Sequence, residues 1–392
     1  MTSADTLTQL LCDLIALPSV NPERDVGRVQ PPFGEQRVAD YVQGHFAGLG
    51  LQVERQEALP GRPNVLVSLP GSEPLLRPIL LEAHMDTVDG QGMDSPFAPH
   101  VQQGRVYGRG ACDTKASLAV MMHTLTELAA GRQGLRRGCV LAATADEEYG
   151  MTGARSLMRQ TAAFSAAIVG EPTALRLVAA HDGQMYLKIA AHGKAAHTSN
   201  PQNGVNSIYI IKDLVNVLLD RSVIEYPQRR HRLCGPPKLT VSMVQGGVSE
   251  HIVPDYCEIT IDCRVVPGET CRQVMEEIKR WADQEMDSGD RKRLAFMEPH
   301  KTEPPMETSV DHPLVEGLKE ATQSVLGRAD VVGVAYNTNA SHYAAAGIPC
   351  VVFGPGAIAQ AHSSDEYVEI EQLEAAAQIL KRFLLEGSAA LG

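Results

Sequence analysis

Three apolar runs of strand length constrain this chain most, because each one ends in residues that can do chemistry. Ile79-Leu80-Leu81 leads to His84 and Asp86. Cys139-Val140-Leu141-Ala142-Ala143-Thr144 leads to Asp146-Glu147-Glu148, and Ala166-Ala167-Ile168-Val169-Gly170 leads to Glu171. Such runs are the pattern of strands buried on both faces. Segments of helical period lie between and around them. Leu7, Leu10, Leu11, Leu14 and Ile15 recur at helical spacing, and Val38, Tyr41, Val42 and Phe46 share a face between Gly34 and Gly48. A long helix is expected from Ala116 to Ala130. Strands alternating with helices give an α/β fold, a mostly parallel mixed sheet flanked by helices.

The texture changes near Ala180. Gln184 to Ala191, Lys238 to Val244 and Tyr256 to Arg264 alternate as strands, while Val205 to Leu219 and Thr270 to Glu285 have helical period. That order is a two-layer β-α-β-β-α-β unit of roughly a hundred residues. The helices Pro313 to Leu326 and Ile370 to Leu385, with the strand Pro349 to Phe353 between them, then rejoin the first sheet. The expected division is a discontinuous domain, 1–180 and 299–392, with an insertion at 181–298.

The formal net charge of −12 and the lack of a long basic run argue against a nucleic-acid partner or an anionic membrane surface. No apolar stretch is long enough to span a bilayer. Met1-Thr2-Ser3-Ala4-Asp5 is polar and acidic, so no secretory signal is expected. Eight scattered cysteines without a CxxC pair fit free thiols in a reducing, cytoplasmic setting.

In an open α/β sheet, ligands gather beyond the carboxyl ends of the strands. His84, Asp86, Glu147, Glu148 and Glu171 fall there, His362 lies just past the Phe353 strand, and Asp113 precedes a helix start. Singly, each has a plain alternative as a cap, a turn residue or a solvated loop. Together they form a mixed N/O donor set suited to zinc, or less selectively to cobalt or manganese. The number of donors is enough for two metals bridged by a carboxylate. Asp86, two residues from His84, is placed to orient the imidazole. In an extended segment Glu147 and Glu148 point apart, so one can bind metal while the other faces substrate as a base. Two-metal activation of water fits hydrolysis of an amide or ester best.

The strings His84-Met85-Asp86-Thr87-Val88, Gly108-Arg109-Gly110-Ala111-Cys112-Asp113-Thr114-Lys115, Asp146-Glu147-Glu148-Tyr149-Gly150, Gly170-Glu171-Pro172-Thr173 and Gly193-Lys194-Ala195-Ala196-His197 carry a family resemblance. So do Gly354-Pro355-Gly356, Gln360-Ala361-His362 and Asp365-Glu366-Tyr367. In this order, and across nearly the whole chain, they resemble the zinc-dependent amidohydrolase and peptidase family that includes acetylornithine deacetylase, succinyl-diaminopimelate desuccinylase, aminoacylase and glutamate carboxypeptidases. The closing strings and Asp262 to Gly268 look most like the acetylornithine deacetylase branch.

The resemblance implies a zinc-peptidase-like catalytic domain holding two Zn2+, with Co2+ or Mn2+ as substitutes. Asp113 bridges the metals, His84 and Glu171 complete one ligand set, and Glu148 and His362 complete the other. Asp86 supports His84, and Glu147 is the general base. The inserted domain implies a lid and a homodimer, in which His197 reaches the partner's site to stabilise the oxyanion. Arg264 matches an arginine that binds a substrate carboxylate. Lys115 reads as structural, and His181, His192 and His342 as ordinary histidines.

Three departures qualify the resemblance. Ala116 replaces a usual glycine. His251-Ile252-Val253-Pro254 stands where relatives have Asn-x-x-Pro, so a lid hydrogen bond to substrate is not carried over. Asn339, expected to face substrate, stands where relatives more often carry an acid, which weakens the case for a cationic substrate end. The expected function is hydrolysis of small N-acyl amino acids or short peptide-like amides. Desuccinylation of diaminopimelate, C-terminal glutamate release and a non-catalytic metal-bearing binder are the alternatives.

Overall fold

The computed structural model describes residues 3–23, 34–90, 92–131, 134–160 and 164–391. Met1 and Thr2 of the polar N-terminal stretch lie outside them. The chain divides into two compact units. The first comprises Met1–Ala179, Glu307–Val332 and Thr338–Gly392; the second comprises Ala180–Met306 and Gly333–Asn337.

The first unit is built on a mixed sheet. From one edge its strands run Gln52–Leu59, Arg62–Leu69, Cys139–Thr144, Ile79–His84, Ala166–Val169, Cys350–Val352 and Leu177–His181. The central pairings are parallel: Cys139–Thr144 with Ile79–His84, Ile79–His84 with Ala166–Val169, and Ala166–Val169 with Cys350–Val352. Antiparallel strands flank this core on both sides. Every residue of Ile79–His84 is buried, as expected of a strand covered on both faces.

The helix Lys115–Ala130 covers one face and is buried along most of its length. Ser3–Ile15 and Ile370–Leu385 pack on it, and Pro313–Leu326 packs on Ile370–Leu385. Because the parallel strands share a direction, their carboxyl ends and the loops after them collect at one edge. A small sheet of His100–Gln102, Arg105–Tyr107 and Tyr367–Glu369 brings the segment after His362 beside the loop that precedes Asp113.

The second unit follows the β-α-β-β-α-β order. Its antiparallel sheet runs Lys238–Gly246, Tyr256–Val265, Gly183–His192 and Leu294–Phe296, with Lys301–Glu303 also pairing with Gly183–His192. The helices Ser207–Glu225 and Cys271–Glu285 bury Ile210, Leu214, Ile278 and Trp281 against Leu187, Ile189, Ile259 and Ile261. A capping box of Thr270 and Gln273 starts the second helix, and the Asn206 side chain caps the first. Among the described residues no helix is long and apolar enough to cross a membrane.

Candidate metal centre

His84 is the last residue of its strand and is 1% exposed. Its Nδ1 lies 2.9 Å from the backbone carbonyl of Asp86 and 3.5 Å from Asp86 Oδ1. The carbonyl, backed by the carboxylate, therefore turns Nε2 toward the cluster. That nitrogen is 3.1 Å from Asp113 Oδ1 and 4.0 Å from both Glu147 Oε2 and Glu171 Oε1. The other oxygen of Asp113 is 3.2 Å from His362 Nε2, which is also 3.2 Å from Glu148 Oε1. Asp113 thus lies between two imidazoles, one on each oxygen. Two donor groups result: His84, Glu147 and Glu171, and Asp113, Glu148 and His362, with the ligand atoms of each lying within 4.8 Å of one another.

Glu147 and Glu148 do not sit in an extended segment. The strand ends at Thr144, and the chain enters a turn at Asp146, whose φ is +68°. The turn, rather than strand alternation, sends the two carboxylates to different groups. Asp86 holds it from beneath, accepting from Glu147 N–H on Oδ1 and Glu148 N–H on Oδ2, both at 3.1 Å. Asn21 Nδ2 donates to Asp86 Oδ2 at 2.8 Å and to Asp146 Oδ1 at 2.9 Å. Asp146 N–H donates to Glu35, which Arg62 pairs through two nitrogens at 2.7 Å.

The loop of Asp113 is organised by Glu366, which is fully buried. Its carboxylate accepts from the backbone N–H groups of Gly110, Cys112 and Asp113 at 3.1, 2.8 and 3.0 Å, and from Arg109. Gly110 has φ +84°, and a Cβ there would press on Lys115 and Thr87. Lys115 Nζ donates to the carbonyls of Leu14 and Leu17, tying the loop to the end of the first helix. Burial pushes this ammonium down to about 7, opposed by Glu366 and Asp86.

The charge balance bears on whether a metal fits. Four carboxylates converge with two imidazoles in a mostly buried volume. Burial, then Glu147 and Asp113, hold the Glu171 carboxyl well above its ordinary range. Burial likewise raises Glu147 to about 8, with Glu148, Asp113 and Asp86 adding to it against His84. The Asp113 and Glu148 carboxylates raise His362 to about 10. Such an excess of mutually repelling acceptors suits divalent cations, and the N/O donor set suits zinc, cobalt or manganese.

Three further residues were expected to act at the site. Asn339 is 1% exposed, and its amide donates to Glu82. In the second unit, His197 pairs with Ile252 across two short strands, and its Nδ1 accepts from Ser199 N–H at 3.1 Å. That leaves Nε2 as the protonated nitrogen of the neutral ring. Arg264 is paired with Asp262 at 2.9 Å. Asn21, Glu35 and Arg62 were not singled out from sequence, and Asp146 and Glu366 were quoted there without a role.

The profile of Peptidase family M20/M25/M40 matches residues 80–386. The acetylornithine deacetylase of Salmonella typhimurium is 31% identical over 341 residues, covering 83% of this chain and 84% of that protein. A tripeptidase of Staphylococcus aureus has the same fold, with a TM-score of 0.79 at 20% identity over 98% of both chains. A protein of Bacillus subtilis, described as a dinuclear metal binding peptidase from the M20 family, overlays with a TM-score of 0.72 at 17% identity over 98% of both chains.

Proposed function

The chain belongs to peptidase family M20/M25/M40 and is a hydrolase acting on amide bonds, and on that premise we propose that it removes the acyl group from N-acyl amino acids, in the manner of an acetylornithine deacetylase. The observation that carries this reading is the pair of donor groups, His84, Glu147 and Glu171 beside Asp113, Glu148 and His362, with one Asp113 oxygen against each imidazole; once Asp113 serves both metals, Glu147 is a carboxylate beyond the ligands needed. His84, Asp113 and Glu171 would hold one zinc, and Asp113, Glu148 and His362 the other. Bound there, the metals supply Lewis acidity and a water of lowered pKa.

The chain's own residues do the rest. Glu147 takes a proton from the attacking water and delivers it to the leaving nitrogen. Asp86 holds its backbone, so the base is set before substrate arrives. His197, with Nε2 as donor, stabilises the developing oxyanion from a second copy of the chain. Arg264 takes the substrate carboxylate, exchanging its Asp262 partner for a bidentate one.

A homodimer through the second unit is part of this reading. The exposed Tyr209, Val223 and Ile224 of Ser207–Glu225, and the exposed Met243 and Val244 of the edge strand Lys238–Gly246, support it. A cytoplasmic setting is supported by the free cysteines.

The test is hydrolysis of a panel of N-acetyl amino acids with added zinc or cobalt, against Glu147→Gln. Loss of the base should lower kcat by about 10²–10⁴-fold with both metals retained. Equal rates for the two proteins would exclude Glu147 as base. Metal binding with no turnover of any substrate would leave a binder.

A further inference from the structure

The strand Ile79–His84 is buried at every position, yet it contains a glutamate, Glu82, 1% exposed. A buried carboxylate is costly unless hydrogen-bonded, so its partners show what it holds. Thr144 Oγ1 donates to Glu82 Oε1, and Asn339 Nδ2 donates to the same oxygen at 2.9 Å. Asn339 Nδ2 also donates to Thr144 Oγ1 at 3.3 Å, which closes a triangle.

Each corner belongs to a different element. Glu82 is two residues before His84, on the same face of its strand. Thr144 is the last residue of Cys139–Thr144, in register with His84, and the turn carrying Glu147 and Glu148 begins directly after it. Asn339 precedes the helix Ala340–Ala345. The triangle therefore fixes the root of the base-bearing turn to the strand that carries His84.

We propose that Glu82 is a positioning residue: through Thr144 and Asn339 it sets the turn that presents Glu147 and Glu148 to the metal centre, and Asn339 acts through Glu82 rather than by touching substrate. This rests on the metallohydrolase reading above. It also accounts for an amide at position 339. An acid there would bring two carboxylates to hydrogen-bond distance in a buried site, where both cannot stay ionised. Exchanging the two groups, Glu82→Gln with Asn339→Asp, restores one carboxylate and one amide.

Wild type, Asn339→Asp, the double variant and the near-isosteric Thr144→Val are loaded with cobalt. Metal content, visible absorption, kcat and KM are then measured on an N-acetyl amino acid. Asn339→Asp and Thr144→Val should keep both metals, alter the cobalt spectrum through Glu148, and lower kcat by about 10–100-fold with KM little changed, since small misplacements of reacting groups cost that much. The double variant should regain the wild-type spectrum and a kcat within about threefold of wild type, as coupled partners do. The proposal fails if the double variant is as impaired as Asn339→Asp, or if Thr144→Val changes only the melting temperature. A KM change in Asn339→Asp that follows substrate charge whatever stands at 82 would make Asn339 a substrate contact and also overturn it. A wild type that hydrolyses nothing would sink the functional reading, while the cobalt spectra would still decide the coupling.

Discussion

Asp86 carries much of this centre without needing to touch a metal. Its two oxygens accept the backbone N–H groups of Glu147 and Glu148 and the amide of Asn21, and its own carbonyl orients His84. Asp86→Asn turns one acceptor into a donor facing a donor, a mismatch costing about 1–3 kcal/mol in a buried site. The turn should shift while the ligands remain. The expected outcome is a kcat lowered about 10–100-fold with the metals largely retained, as for other groups that support a ligand. His84→Ala should instead lose a metal. Metal analysis beside kcat separates the two, and loss of a metal from Asp86→Asn would make Asp86 a ligand. His84, Glu148 and Glu171 could be picked out in the sequence because each follows an apolar run within a few residues, whereas Asp113, before a helix start, and His362, nine residues past Phe353, owed their roles to the family resemblance. Asn21, Glu35 and Arg62 could not be picked out, because they come from separate segments that the fold alone brings together around Asp146. Nor does a sequence show which way a side chain turns, and Asn339 turns inward to Glu82.

At the scale of elements, what could be read from sequence followed burial. Ile79–His84, Cys139–Thr144 and Ala166–Val169 lie inside the sheet, and their apolar runs revealed them. Gln52–Leu59 is an edge strand carrying Glu54, Arg55 and Glu57, so it has no apolar run to reveal it. Leu177–His181 merges into the change of texture at Ala180, and Ala340–Ala345 is too short to show a period. The edge strand Lys238–Gly246 raises a different question, because it leaves Met243 54% and Val244 67% exposed. An apolar sheet edge beside an apolar helix face invites a second chain. Val244→Lys combined with Val223→Glu should give a monomer by sedimentation. Because both positions are exposed, each change should move monomer stability by no more than about 0.5 kcal/mol. A variant that still sediments as a dimer would place the interface elsewhere. A wild type that is monomeric would remove the dimer from the proposed function.

The whole molecule tests whether His197 serves its own chain or a second one. The second unit holds the exposed His197 on a two-residue strand paired with Ile252–Val253, with Ser199 fixing Nδ1 and leaving Nε2 to donate. Loss of such a donor should cost about 10²–10³-fold in kcat. His197→Ala alone cannot say which chain the donor serves, but a hybrid can. Glu147→Gln and His197→Ala homodimers are each inactive in both sites. If His197 acts across the dimer, a hybrid has one site with an intact base and an intact partner histidine, while its other site lacks both. Unfolding and refolding the two variants together at equal amounts makes half the dimers hybrids, each with one working site in two. The mixture should therefore recover about one quarter of wild-type activity, by the symmetry of a two-fold dimer. If His197 acts within its own chain, every hybrid site lacks one group or the other and nothing is recovered. Recovery would also require a dimer in solution, so the same measurement tests the association that the exposed apolar face of the second unit supports.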